Sequence, residues 1–403
     1  MQPLFYFQSL SKYHSHINTA RELLRQYQGE EPFAIFSKRY FAANKKYGSR
    51  DRRQISHLCY CYFRANRGMS QFSEDEKLLA ALFVSSQQSN ELLGDLAPEW
   101  NARVGLPTLD KMGLLPHPFA IDELFPAVDE LSDGIEANAF GLSHLVQPDL
   151  FLRLRPGKED KVRSQLLSNS IPFENRGPGC IALPNSSRVD QLIALDQDAI
   201  IQDESSQRVG DILRLLLRDG NPSLWDCCAA SGGKSILAYD ILPSIRLTVS
   251  DLRESILSNL RKRFETAGIR KYDSQLIDLG KPNAAFPISW RKDGRKFDII
   301  IADVPCSGSG TWGRTPEQLS LFSKEKMDHY TNLQRRIIGN AITRLKTGGH
   351  LVYITCSVFR KENEEMIHVI QEAHGLELLE QTVIKGYDRK ADTMFAALLR
   401  QPS

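Results

Sequence analysis

Asp303-Val-Pro-Cys-Ser-Gly-Ser-Gly310 is the stretch from which the fold of this chain is read. It follows Phe297-Asp-Ile-Ile-Ile-Ala302, a short apolar β-branched run of the kind that forms a buried parallel strand. A cysteine then stands between Pro305 and a Ser/Gly turn, where backbone can approach a ligand closely. A second cysteine, Cys356, closes a second apolar strand, His350-Leu-Val-Tyr-Ile-Thr355. Two thiols at the carboxyl ends of two strands of one sheet face one crevice, where open α/β sheets bind ligands. Either cysteine alone reads as a buried structural thiol. The pair, with the acid and the turns, reads as a reactive site.

Working outward, the last two hundred residues alternate strand and helix, the pattern of a parallel sheet with helices on both faces. Ser223-Leu-Trp-Asp226 is a first strand, followed by Cys227-Cys-Ala-Ala-Ser-Gly-Gly-Lys234 and a helix from Ser235. The small residues and Gly232-Gly233 permit a tight turn against a ligand. The spacing is neither the dinucleotide fingerprint nor the P-loop. Ile245-Arg-Leu-Thr-Val-Ser250 is a second strand ending in Asp251, and Ser274-Gln-Leu-Ile277 a third ending in Asp278. A carboxylate after the second strand is placed to take a ribose hydroxyl pair. For each Asp alone, capping or solvation is the commoner role. Three strands ending in Asp behind a glycine turn instead describe a nucleoside-shaped site, and point to a methyltransferase fold binding S-adenosylmethionine.

Before this region, Leu150-Phe-Leu-Arg-Leu-Arg155 alternates like a strand, Lys158 to Asn169 reads as a helix, and Ile171-Pro-Phe173 and Cys180-Ile-Ala-Leu183 as short strands. This small α+β unit has two readings of equal weight, an RNA-binding sheet or a spacer. An amphipathic helix follows from Val209 to Leu217, ending at Asp219-Gly220. Further back the chain is helical: Ile17, Ala20, Leu23, Leu24 and Tyr27 keep helical spacing, as do Ile55, Leu58, Cys59, Tyr62 and Phe63. Ser73-Glu-Asp-Glu76 is a capping box, and residues 94–146 read as short helices and connections. The expected division is a helical domain at 1–145, a small RRM-like unit at 146–198 and a catalytic domain at 199–403.

A chain of 403 residues with 41% hydrophobic and 25% charged residues is long enough for more than one core. Net charge is only +2, but residues 1–67 hold 12 Lys/Arg against 4 Asp/Glu, and residues 68–150 hold 3 against 14. The basic head is either a phosphate-facing surface or a partner for the acidic segment. No apolar run is long enough for a membrane span, and Met1-Gln-Pro-Leu-Phe-Tyr-Phe7 lacks the basic start of a signal peptide. Seven cysteines at scattered spacings fit reduced thiols in a cytoplasmic protein. Cys59-Tyr-Cys61 reads as a buried helix face, and no metal site is expected.

The sequence resembles the RNA (cytosine-5)-methyltransferase family typified by the Sun/RsmB proteins. The stretches that carry the likeness are Gln202-Asp-Glu-Ser-Ser-Gln207, Asp226-Cys-Cys-Ala-Ala-Ser-Gly-Gly-Lys234, Asp303 to Thr311 with Arg314 and Pro316, Lys346-Thr-Gly-Gly-His-Leu-Val-Tyr353, and Thr355-Cys-Ser-Val358 with Glu362-Asn-Glu364. The likeness extends to the small unit, and faintly to a NusB-like helical domain at Ser49-Arg-Asp-Arg-Arg53 and Leu58 to Arg64. It implies a Rossmann-like methyltransferase domain behind an RRM- or ferredoxin-like unit. It makes Cys356 the nucleophile that adds to C6 of cytosine, Cys306 the helper in product release, and Asp303 a hydrogen-bonding partner of the base edge or the cofactor. Cys228, Ala229, Ala230, Ser231, Gly232, Gly233 and Lys234 would hold the methionine part, Asp251 the ribose and Asp278 the adenine side. Asp303 is counted on the cofactor side as well.

Four positions depart from the family pattern: Ser231 and Arg360 where proline is usual, Val304 for alanine, and Ile256 for arginine. The implied partner is RNA with an unstacked target base, ribosomal RNA first and transfer RNA second, and the expected form is a monomer. Two other readings stay open. One is a non-catalytic RNA-binding or ribosome-assembly factor that keeps the fold. The other is a methyltransferase of DNA or a small molecule, in which the two cysteines exchange roles.

Overall fold

The structure, a computed structural model, describes residues 12–217, 220–242 and 244–402. The opening heptapeptide and the Asp219 end of the helix expected at 209–217 lie outside the described residues. Two compact units emerge. One comprises the chain up to Val128 with Glu136–Gln147 and Trp312–Phe322; the other comprises Asp129–Ile135, Pro148–Thr311 and Ser323–Ser403.

The first unit is helical, with its longest helices at Lys12–Gln26, Phe33–Ala43, Ser49–Ala65 and Glu74–Ser85. Phe33 anchors its core, with edge-on rings of Tyr27, Tyr60 and Phe63 at 5.1–5.3 Å. Ser73 and Glu76 form the capping box read from the sequence. At the far end of that helix the fully buried Lys111 donates to the carbonyls of Phe83, Val84 and Ser86 at 3.2, 3.0 and 2.6 Å. An ammonium on the orphan carbonyls of a helix C-terminus satisfies them and opposes the dipole. Part of the basic head is paired within this unit: Arg21 with Asp75 at 2.8 Å, and Arg50 with Glu91. Cys59 and Cys61 are both buried in the helix Ser49–Ala65.

The second unit holds two sheets. The smaller consists of β1 (Leu150–Leu154), β2 (Glu174–Gly177), β3 (Cys180–Leu183) and β4 (Ala199–Ile201), in the order β2-β3-β1-β4 with antiparallel pairs throughout. The helix Glu159–Ser168 packs Val162 and Leu166 against it, and a 3-10 turn at Val189–Gln191 stands where a second helix of a βαββαβ unit would be. The strand expected at Ile171–Phe173 begins instead at Glu174. The Pro178-Gly179 turn, with Gly177 and Gly179 at positive φ, fixes the hairpin register and pairs Glu174 with Ala182.

The larger sheet consists of β5 (Ser223–Asp226), β6 (Arg246–Asp251), β7 (Tyr272–Leu276), β8 (Phe297–Asp303), β9 (Leu345–Thr355), β10 (Glu377–Ile384) and β11 (Met394–Arg400). Their spatial order is β10-β11-β9-β8-β5-β6-β7. The five central and right-hand strands are parallel, with chain order reversing between β5 and β8, while β11 runs antiparallel to β9 and β10 to β11. The reversal opens a crevice at the carboxyl ends. Alternation assigns the two faces. Leu224, Ile301 and Val352 pack with Val209, Ile236 and Leu237, whereas Trp225, Ile300 and Tyr353 pack with Ile337, Ile338 and Ile367. The sheet is therefore a Rossmann-like α/β sheet, mixed rather than wholly parallel.

Other boundaries differ from the sequence reading as well, among them the start of β9 at Leu345 instead of His350. The helix before the sheet spans Glu204–Arg214, because Asp203 caps it by accepting from Ser205 N at 2.8 Å. The third strand ends at Leu276, so Asp278 lies two residues beyond it.

Candidate active site

β8 and β9 are neighbours in parallel register, with Asp303 opposite Ile354. Their continuations therefore bring Cys306 and Cys356 together, and the two Sγ atoms lie 3.3 Å apart. Both thiols are free and half-buried. The hydrogen bond with Cys356 pushes the Cys306 thiol well above its ordinary value, and burial and the Cys356 and Glu362 charges add to the effect.

The loops that carry the thiols are locked from three sides. Gly310 N donates to the Cys356 carbonyl at 2.9 Å, and Thr393 N donates to the Gly310 carbonyl at 2.9 Å. A Cβ on Gly310 would stand 1.8 Å from the Thr393 carbonyl oxygen, so no other residue fits. Below them Glu362, fully buried, accepts from Ser307 N at 2.8 Å and Gln334 Nε2 at 3.2 Å, and from the hydroxyls of Ser307 and Ser357. Gln334 Nε2 also reaches the Pro305 carbonyl at 3.0 Å. Burial raises the Glu362 carboxyl above its ordinary value, opposed by these donors. Its neighbour Asn363 accepts from Thr355 Oγ1 at 2.6 Å, which ties the end of β9 to the same network.

Asp303 ends β8 and pairs with Lys234 Nζ at 3.1 Å. Lys234 also donates to Ser206 Oγ at 2.7 Å, Gln202 Nε2 donates to the same hydroxyl at 3.1 Å, and Arg153 Nε donates to Gln202 Oε1 at 2.7 Å. Arg153 and Arg155 both grip Asp240. One polar chain thus runs from β1 of the small sheet to the carboxylate beside the thiols.

The turn after β5 has the shape that the glycines demand. Ala230 and Gly232 adopt positive φ, and a Cβ on Gly232 would stand 2.7 Å from the Phe264 ring. The helix Gly233–Ile241 starts here, and its first N–H groups have no partner within the helix. Ser231, in place of the family's proline, is held by Arg263, which reaches its carbonyl at 2.8 Å and its hydroxyl at 3.0 Å. Asp251 ends β6 and accepts from Ala230 N at 3.2 Å and Arg253 N at 3.0 Å. Asp278 accepts from Gly280 N at 2.9 Å. Asp226 points inward: it is fully buried, accepts from Ser235 Oγ at 2.6 Å, and is pushed up to about 7 by burial, with Ser235 opposing and Asp303 adding.

Asp303, Cys306, Cys356 and Lys234 therefore gather at the ends of β8, β9 and the adjoining helix, while Asp251 ends β6 and Asp278 lies two residues past β7. The sequence reading gave no role to Arg153, Gln202, Ser206, Gln334 or Glu362. Arg153 stands in an alternating strand where an inward Arg is unusual, the one cue that pattern alone offered.

Residues 213–399 match the family model described as 16S rRNA methyltransferase RsmB/F. This region is Sun/RsmB-like. Ribosomal RNA small subunit methyltransferase B of Xanthomonas campestris pv. campestris is 31% identical over 188 residues, covering 46% of this chain and 41% of that protein. The chain thus spans less than half the length of that relative. The crystal structure of PH0851 aligns over 97% of this chain and 99% of its own, with TM-score 0.69 and 18% identity. NSun6 from Pyrococcus horikoshii, solved with SFG, aligns over 66% of this chain and 94% of its own, with TM-score 0.55 and 14% identity. At these identities the structural likeness is one of fold. The Sun/RsmB-like region carries both cysteines, Asp303, Lys234 and the acids of β5 and β6.

Proposed function

We propose that this chain transfers a methyl group from S-adenosylmethionine to C5 of a cytosine in RNA. The observation that carries the reading is the thiol pair, 3.3 Å apart at the ends of adjacent strands, beside a carboxylate held by a lysine. One reactive thiol serves many enzymes. Two in contact fit a reaction in which a sulfur must both add to a ring and leave it.

The residues fit the cofactor. The left-handed turn at Ala230 and Gly232 would hold the methionine part, Asp251 at the end of β6 would grip the ribose diol, and Asp278 would face the adenine side. Bound there, S-adenosylmethionine supplies an electrophilic methyl group. The chain's own groups do the rest. Cys356 adds as thiolate to C6, which moves electron density to C5 so that C5 can take the methyl group. Asp303, oriented by Lys234, accepts a hydrogen bond from the cytosine amino edge and so holds the base in place over Cys356. The C5 proton is then lost to a base, the C6–S bond breaks, and the ring regains its aromaticity. Cys306, with its sulfur 3.3 Å from that of Cys356, donates a proton to the departing sulfur and so assists release.

The crevice lies at strand ends, so the target base must leave its stack, which favours loops and single-stranded RNA. The likeness to ribosomal RNA methyltransferases supports ribosomal RNA as the first substrate class, with transfer RNA second. The protein acts as a cytoplasmic monomer in three parts: helical residues 1–145, an RNA-facing RRM-like unit at 146–198 and the catalytic part at 199–403. The test is methyl transfer from labelled S-adenosylmethionine to RNA, to DNA of the same sequence and to free cytidine, with nucleosides separated afterwards. The reading expects 5-methylcytosine in RNA alone. Methylated DNA or cytidine, or no cofactor binding, would overturn it.

A further inference from the structure

The amino ends of the same parallel strands carry a second feature. β6 begins at Arg246, β7 follows Arg270-Lys271, and β8 follows Arg295-Lys296. Arg246, Arg270, Lys271 and Arg295 line one cavity of about 820 Å³, together with Tyr239 and Tyr272. Among the described residues a single carboxylate, Asp273, shares that lining, and it is taken by Arg295 at 2.5 Å. Arg295 is itself fixed, with Thr248 Oγ1 at 3.3 Å and the rings of Trp290 and Phe297 at 5.6 and 5.5 Å. Arg246, Arg270 and Lys271 are exposed and have no ion-pair partner among the described residues. Tyr239 is 39% exposed, and Tyr272 is held edge-on to Phe264 at 4.9 Å.

We infer that this cavity binds the phosphate backbone of RNA flanking the target, with a base stacked on Tyr239. Unpaired cations beside accessible aromatic faces are what a nucleic-acid strand engages: the cations take phosphates and the rings take bases. What marks the cavity is the concentration of charge in one lining: three cations without an ion-pair partner among the described residues stand beside Arg295, which already takes the carboxylate of Asp273. β6 is six residues long, so this site lies roughly 20 Å from the carboxyl edge that carries Asp251. That is too far for the target nucleotide itself, so the site reads RNA beyond the methylated base. The inference rests on the proposed RNA methyltransferase activity and adds to it a second, non-catalytic RNA site.

The test uses the full chain and a small-subunit ribosomal RNA transcript as probe. Arg270→Glu with Lys271→Glu removes two free cations without breaking any contact, and Tyr239→Ala removes the ring. Cofactor affinity, measured calorimetrically, stays at the parent value in both variants, which shows that the fold and crevice are intact. The charge variant should keep kcat at saturating transcript, raise KM on the order of tenfold or more, and flatten the salt dependence of binding by about two in log–log slope. Tyr239→Ala should weaken transcript binding about tenfold with no change in slope. Parent-like KM and slope in the charge variant would overturn the inference and leave the methyltransferase reading standing. A parent enzyme that neither binds nor methylates the transcript would overturn both.

Discussion

Lys234 Nζ stands 3.1 Å from Asp303 Oδ2 and 2.7 Å from Ser206 Oγ, so one ammonium joins the end of β8 to the helix that begins after Asp203. Lys234 and Ser206 are thus the last links of the chain that starts at Arg153 in the small sheet. Asp303 depends for its orientation on residues far from it in sequence.

Removing the middle of that chain should slow the reaction without emptying the site. Ser206→Ala takes one acceptor from Lys234, and Arg153→Met strips Gln202 of its donor and leaves Asp240 with Arg155 alone. Each loss is worth about 1–2 kcal/mol, a roughly five- to thirtyfold fall in kcat. Arg153→Lys, which keeps the charge beside Asp240, should recover part of it. Steady-state kinetics on the RNA substrate check this, and an unchanged kcat in both variants would show that Asp303 needs no such support.

Glu362 collects donors from Ser307, Ser357 and Gln334 beneath the thiols. Glu362→Gln puts an amide N–H where one of those donors points. The loop of Cys306 then shifts, at a cost of about 1–3 kcal/mol, and methyl transfer should fall about ten- to hundredfold. Single-turnover transfer rates measure it.

Gly310→Ala tests the closure between the Cys356 loop and the loop at Thr393. The added methyl meets a backbone oxygen, not a side chain that can turn away. Stability should drop by about 2–3 kcal/mol, read as a lower denaturant midpoint, with transfer activity lost.

Asp226 sets a pH signature. Its folded value, about 7, lies above the ordinary 3.8, so between those values the folded state holds a proton that the unfolded state has released. Its contribution to stability is complete below pH 4 and declines as pH rises toward 7. Asp226→Asn, which can still accept from Ser235, removes that decline. Melting curves from pH 4 to 8 should diverge with rising pH, the variant standing on the order of 5 °C above the parent at pH 8. Parallel curves would show that Asp226 titrates in its ordinary range.

The sheet and the crevice were legible because their signals are local. Apolar β-branched runs, acids at strand ends and small residues in turns write themselves at fixed spacing, and Phe297–Asp303 and Arg246–Asp251 were found this way within one residue. β10 and β11 were not, because β10 is a mostly exposed edge strand with a Glu-Gln-Thr run and carries no apolar period. The supporting polar groups were hidden for another reason. Arg153 meets Gln202 across 49 residues, and Ser307 meets Glu362 across 55. Such pairings follow from strand order and packing, which no window of sequence displays. Ser231 is the same case: proline's rigidity is replaced by Arg263, thirty-two residues on.

The central claim is that Cys356 attacks and Cys306 releases. It is tested most directly by expressing Cys356→Ala and Cys306→Ala in cells and running the purified proteins on a denaturing gel with and without ribonuclease. The account predicts an RNA-linked, slower-migrating band for Cys306→Ala, removed by ribonuclease, and none for Cys356→Ala. A linked band from Cys356→Ala and none from Cys306→Ala would contradict it and exchange the roles of the two thiols.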